Sequence, residues 1–227
     1  MNKIVSYICF LFLISNLSFA FDTSFSKEGA TDFYNPLKHR SGNIWKYGRS
    51  SFLLEDNDDK TRYEHCKIWD NDIETAWVEG IPGNGINEWV IIDIDGDYQY
   101  LDYEDAISDK QLLIKMTINN GFCKNKKTFQ NNNRVKKAKI TIFEAPLHSD
   151  ENERYIIENP FENKSIEIEL KDEMKEQIFN FSISPNATVK NGMLSLFLKL
   201  TILDVYSGKK SQDTCISELK ATAEVVE

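Results

Sequence analysis

The stretch Asp72–Trp89, DIETAWVEGIPGNGINEW, holds two tryptophans, four acidic residues and three glycines. These types suit carbohydrate recognition. An indole offers a flat apolar face to sugar C–H groups, and a carboxylate accepts hydrogen bonds from sugar hydroxyls. They suit a structural role equally well, with both indoles in the core. Trp89 opens an apolar run and is expected in the core or at its rim. Trp77 closes a loop and is expected to be buried, anchoring it. That leaves Glu79 and the glycine-rich loop running to Asn87 as the exposed part expected to meet a ligand.

A second stretch, Asn119–Lys139, carries seven Lys or Arg and no acidic residue. The chain around it has a net charge of -9 and a pI near 5.0. Charge runs are usually solvated faces. Here the local reversal of sign, with many amide side chains, suits an acidic or hydroxyl-rich ligand. The acidic balance of the whole chain argues against nucleic acid, whose phosphates reward Lys and Arg. Catalysis has little support. The sequence has no Gly-x-Ser-x-Gly, no His-Glu-x-x-His and no phosphate loop. Carboxylates such as Asp93 and Asp95 read as turn solvation. His39, His65 and His148 lie too far apart in sequence to suggest a metal site, and no CxxC spacing occurs.

The elements that must position these residues read as strands. Asn87–Ile94, Gln111–Ile118, Arg134–Phe143, Ser165–Leu170, Gln177–Ser184, Met193–Tyr206 and Asp213–Ala221 are apolar or alternate with period two. Asn120-Gly121, Asp95-Gly96 and Asn191-Gly192 supply turn residues that tolerate positive φ. No long helical period occurs. The chain of 227 residues, 41% apolar and 28% charged, is enough for one large all-β domain or two small domains. Residues 1–20 have a basic Lys3, an apolar run from Ile4 to Leu17, and Ser18 and Ala20 at a cleavage site. They read as a secretory signal peptide, so an exported protein with no membrane span is expected. Residues 21–60 read as an N-terminal extension and 61–227 as the main domain. Three cysteines follow the leader: Cys66, Cys123 and Cys215. In an exported protein this reads as one bridge and one free thiol.

Taken in order, WDNDIETAWVEG, GINEW, INNGF, NNRVKKAKI and DTCISEL resemble the NADase-type glycan-binding domain. This is a discoidin-like, F5/8 type C-like member of the galactose-binding fold. The resemblance covers roughly Cys66–Ala221 and implies a jelly-roll β-sandwich. It departs at Phe122, where the family often has Tyr, and in residues 21–60. It implies a non-catalytic carbohydrate-binding protein with a glycan or glycoconjugate as partner. A protein-binding adhesin or cell-envelope module of the same fold is the alternative. By family position, Asn120, Phe122, Lys126, Asn133 and Arg134 sit at the loop end that ligands use. Arg134 is open to a second reading, as a bridge to Glu79 or Glu88. No cofactor is required. Related modules hold a structural calcium ion in a loop that Asp70, Asp72 and Thr75 match, with Glu218 reaching in from the last strand. The other reading of that loop is a turn capped by its own side chains. In the galactose-binding fold the early and late strands lie side by side, which points to a Cys66–Cys215 bridge. Cys123 would then be free, or would replace either partner.

Overall fold

The computed structural model describes residues 47–54, 61–96, 110–149, 155–157, 160–185 and 193–226. The signal-peptide reading and most of the extension fall outside the described residues. Among the described residues ten strands occur in chain order: β1 (Tyr47–Arg49), β2 (Trp77–Val78), β3 (Trp89–Asp93), β4 (Gln111–Asn120), β5 (Asn133–Ser149), β6 (Tyr155–Ile157), β7 (Phe161–Glu169), β8 (Glu176–Ile183), β9 (Met193–Tyr206) and β10 (Thr214–Val226). A 3-10 turn at His65–Ile68 and a short helix, α1 (Lys126–Asn131), complete the described elements.

The pairing makes an all-β sandwich, as the resemblance implies. One antiparallel layer runs β1-β3-β9-β5-β7, and the other runs β8-β4-β10 with β2 on the end of β10. The layers join where Thr214 and Cys215 run parallel to Asn133 and Arg134, so hydrogen bonding is continuous around that corner. β5 bulges between Val135 and Ala138, and bulges bend strands at such corners.

Alternation explains the core. Leu112, Ile114, Met116 and Ile118 of β4 point inward while Leu113 and Lys115 point out. They meet Leu194, Leu196, Leu198, Leu200 and Ile202 of β9, with Val90 and Ile92 of β3 and Ile140 and Ile142 of β5. Trp77 is fully buried in this core, and its Nε1 donates to Ser51 O at 2.8 Å. Trp89 is half-buried on the opposite face of β3, with Ile91, Phe143 and Phe197. The Lys199 ammonium stands 4.4 Å from its ring centroid.

Part of the expected N-terminal extension packs on the main domain, where β1 pairs with β3 as an edge strand of the sandwich. Ser50 and Ser51 follow it and both donate to the buried Glu88 carboxylate, Ser50 at 2.7 Å. Residues 47–54 are therefore built into the sandwich.

Candidate functional site

The loops at the corner where β5 meets β10 form one end of the sandwich. The first is the glycine-rich loop after β2. Gly83, Gly85 and Asn87 have positive φ, so the chain doubles back on itself there. Glu79 lies beneath this loop and is 0% exposed, which corrects the expectation that it faces solvent. Its carboxylate accepts from Ile81 N at 2.9 Å and from Thr214 N at 3.2 Å, tying the loop to the start of β10. Thr214 Oγ1 donates to Asn84 O at 2.7 Å. A side chain at Gly85 would collide with Glu79, whose Cγ lies 2.6 Å from an added Cβ. Burial pushes the Glu79 carboxyl up to about 7, opposed by the two amide donors. What the loop presents to solvent is Gly80, Ile81, Pro82, Gly83, Asn84 and Asn87.

The second region runs from the end of β4 through α1 into β5. Asn120 is fully buried, and its amide donates to Val135 O at 2.7 Å and accepts from Val135 N at 2.9 Å. It replaces a strand partner. Asn133 is also buried. It donates to Gln212 O at 2.5 Å and accepts from Gly208 N at 2.7 Å, holding the loop between β9 and β10. Arg134 bridges neither Glu79 nor Glu88. Its guanidinium is bidentate to Asp172 at 2.7 and 2.8 Å and donates to the carbonyls of Asn132 and Ser207. It lies over Phe129 and near Tyr206. Gly121 (φ 85) allows this packing, because an added Cβ would stand 2.4 Å from Arg134 Cγ. Phe122 is half-buried, edge-on to Tyr63. Of the six expected ligand-contact residues, only Lys126 is exposed; Phe122 is half-buried, and Glu79, Asn120, Asn133 and Arg134 are buried and hydrogen-bonded within the loops.

Helix α1 itself escaped the strand-based reading. Six residues are too few to show a helical period, but Asn125 and Thr128 close a reciprocal capping box. Sequence reasoning also missed the loop before β10. The amides of Lys209, Lys210 and Ser211 donate to the carbonyls of Gln130 and Asn131, clasping that loop to the end of α1. Lys124, Lys126, Lys127, Lys209 and Lys210 are consequently exposed on neighbouring segments. The turn residues of SGKKSQ are the signal that marked this loop in the sequence.

The loop Asp70–Thr75 makes the hydrogen bonds of a capped turn. Asp70 accepts from Asp72 N at 3.0 Å and Thr75 Oγ1 at 2.8 Å, and Asp72 accepts from Glu74 N at 2.9 Å. Glu218 reaches this loop from β10 and is buried, with neither carboxylate oxygen receiving an aligned hydrogen bond. Its charge contact is Lys220 Nζ at 3.2 Å, which also donates to Asn71 Oδ1 at 2.8 Å. Lys67 Nζ stands 3.5 Å from Asp70 Oδ2. Burial raises the Glu218 carboxyl pKa, Asp70 adds to the rise, and Lys220 opposes it. Calcium takes six to eight oxygen ligands. Here two ammonium groups stand on the Asp70 and Glu218 carboxylates that such a site would use. Among the described residues no group of three or more His, Cys, Asp or Glu side chains is placed to hold a metal.

All three described cysteines are free thiols, so the Cys66–Cys215 bridge is corrected. Cys215 pairs with Val78 of β2 and packs with Ala76 and Val78, whereas Cys66 lies in the half-buried 3-10 turn. Cys123 hydrogen-bonds to Asn120 O through its thiol.

The model of the NAD glycohydrolase translocation F5/8 type C domain matches residues 38–222. No curated protein gives a match. Among solved structures, a GH29 fucosidase of Ruminococcus gnavus in complex with fucose aligns at 9% identity and TM-score 0.34, over 77% of this chain and 24% of its own. This chain thus spans about a quarter of that enzyme. The C-terminal domain of a Bacteroides fragilis chitobiase aligns at 16% identity and TM-score 0.36, over 80% and 96% of the two chains. A Clostridium perfringens module in complex with GlcNAc-α-1,4-galactose aligns at 14% identity and TM-score 0.29, over 81% and 92%.

Proposed function

The chain belongs to the NAD glycohydrolase translocation F5/8 type C domain family, and from that premise we propose that it is an exported, non-catalytic glycan-binding module. The contact surface is the loop end around Thr214. The observation that carries this reading is a division of labour at that end. The buried polar side chains Glu79, Asn120, Asn133 and Arg134 spend their hydrogen bonds on the loops themselves. The residues left to solvent are Gly80–Asn84, Asn87, Lys124–Lys127, Ser207, Lys209, Lys210 and Gln212. A framework fixed in this way presents its ligand groups without further ordering, which lowers the entropic cost of binding.

Exposed Ile81 and Pro82 offer apolar contact to a sugar face, and the loop carbonyls and lysines offer hydrogen bonds to its hydroxyls. Affinity at one such shallow site should be roughly micromolar to millimolar. Export rests on the leader-like residues 1–20. Among the described residues no helix is long and apolar enough to cross a membrane.

The test is a glycan array probed with the purified protein, with and without calcium. We expect selective signal for a limited set of glycans in both conditions. A blank array in both, with folded protein, would sink the proposal. Retained capture of one specific protein in excess free sugar would favour the adhesin alternative.

A further inference from the structure

We propose that the glycan bound at this end is anionic, and that Lys124, Lys126, Lys127, Lys209 and Lys210 recognise its acid groups. The inference rests on the glycan-binding reading above and specifies its ligand class. Lys115 of β4, Lys139 of β5, Lys164 of β7 and the lysines of the Lys171–Lys175 turn also face no carboxylate among the described residues, but they lie on separate segments. The inference begins from the contrast with six basic side chains that are paired. Lys67, Lys136, Lys137, Lys220, Arg49 and Arg134 each face a carboxylate: Asp70, Asp204, Glu167, Glu218, Glu64 and Asp172 respectively. The five loop lysines have no carboxylate within ion-pair distance among the described residues, and Lys209 Nζ reaches only the neutral Gln130 amide at 3.3 Å.

The nearby acids are already engaged. Asp172 is held by Arg134, and Asp213 accepts from Ser211 Oγ at 2.5 Å. Helix electrostatics does not account for the lysines either. Lys126 and Lys127 open α1, the end at which peptide dipoles disfavour a cation, and no acidic residue stands in that turn. The backbone bonds from Lys209 and Lys210 to Gln130 and Asn131 bring the second pair of lysines to the far end of the same helix.

The net charge of -9 does not oppose this. Salt screens exposed charges beyond roughly 8 Å at physiological ionic strength, so a ligand at this end senses the local lysines. The rest of the acidic surface then repels the same ligand and favours docking at one place. Lysine ammoniums donate up to three hydrogen bonds and accept none, which suits the oxygens of uronate carboxylates, sulfates or phosphates.

The experiment is titration calorimetry of the purified protein against dextran, dextran sulfate, polygalacturonate, chondroitin sulfate and a DNA duplex. We expect the acidic polysaccharides to bind about tenfold or more tighter than dextran, and to weaken with salt. Preference among the three separates sulfate from carboxylate recognition. Exposed charge contacts contribute roughly two- to fivefold each. The combined change Lys126→Gln, Lys127→Gln, Lys209→Gln and Lys210→Gln should therefore weaken acidic-glycan binding by about tenfold or more. The control Lys136→Gln with Lys137→Gln should change it less than about twofold. Dextran or neutral array glycans binding as tightly as acidic ones, with the fourfold variant unaffected, would overturn this inference and leave glycan binding standing. DNA binding as tight as any acidic glycan would overturn it by showing unselective polyanion attraction. No binding to any carbohydrate would overturn the underlying reading as well.

Discussion

Glu79 and His65 are two fully buried titratable residues whose effects on stability oppose each other. Burial lifts the Glu79 carboxyl from 4.5 to about 7, so the folded protein holds that proton more tightly than the unfolded chain. Its contribution is full below about pH 4.5 and is lost as pH rises through about 7. His65 runs the other way. Burial, then the Arg49 guanidinium bonded to its Nδ1, lowers it from 6.5 to about 3. Its contribution is full above about pH 6.5 and is lost as pH falls toward 3. Stability should therefore form a plateau between about pH 4.5 and 6.5 and decline on both sides. Glu79→Gln should remove the decline above about pH 6.5 and turn the plateau into a rise with pH, because His65 then acts unopposed. Urea unfolding from pH 3 to 8 reads both limbs, and an unchanged decline above about pH 6.5 in the variant would contradict the assignment. Lys220 carries a second residue-scale prediction. Lys220→Met leaves the buried Glu218 without its counter-charge and should cost about 1–2 kcal/mol, less than a fully buried pair because the lysine is half exposed. Wild-type unfolding should not respond to calcium or chelator; a higher midpoint in millimolar calcium would contradict the two-ammonium arrangement.

At the scale of elements, Arg134 joins β5, the Lys171–Lys175 turn and the loop before β10. Arg134→Lys keeps the charge but loses the planar fork, and should cost about 1–3 kcal/mol. Hydrogen exchange at the Lys209, Lys210 and Ser211 amides should speed up with it; unchanged exchange there would argue that the loop is held without Arg134. The long strands were legible because alternation with period two survives in the sequence. The apolar run Met193–Tyr206 became β9 with the same ends. Strands of two or three residues, such as β2 and β1, carry no period, and α1 is little longer. The site was less legible for another reason. A buried Glu79 needs Gly85 beside it and Thr214 N, far along the chain, to receive it. Asn120 and Asn133 look like surface amides until their backbone partners are known. The same long-range register decides the cysteines, because Cys215 faces Val78 and leaves Cys66 elsewhere.

Across the whole molecule, the sandwich is held by packing without a disulfide among the described residues. Its unfolding midpoint should be the same with and without reductant. Burial raises all three thiols, but Cys66 is only half enclosed, so alkylation of the native protein should modify it before Cys123, raised to about 11, and Cys215, which are both enclosed. Equal reaction of all three in native conditions would contradict the packing around β10. The fold divides the chain into a self-satisfied scaffold and one end where loops, glycines and unpaired lysines meet. The most direct test of that division is an amide NMR titration of the isotope-labelled protein with the best-binding glycan from the array. Shifts confined to residues 80–87, 121–132 and 207–214 are the predicted result. Shifts centred on the outer face of β3 and β9, or on the Asp70–Thr75 turn, would contradict a glycan site at the loop end.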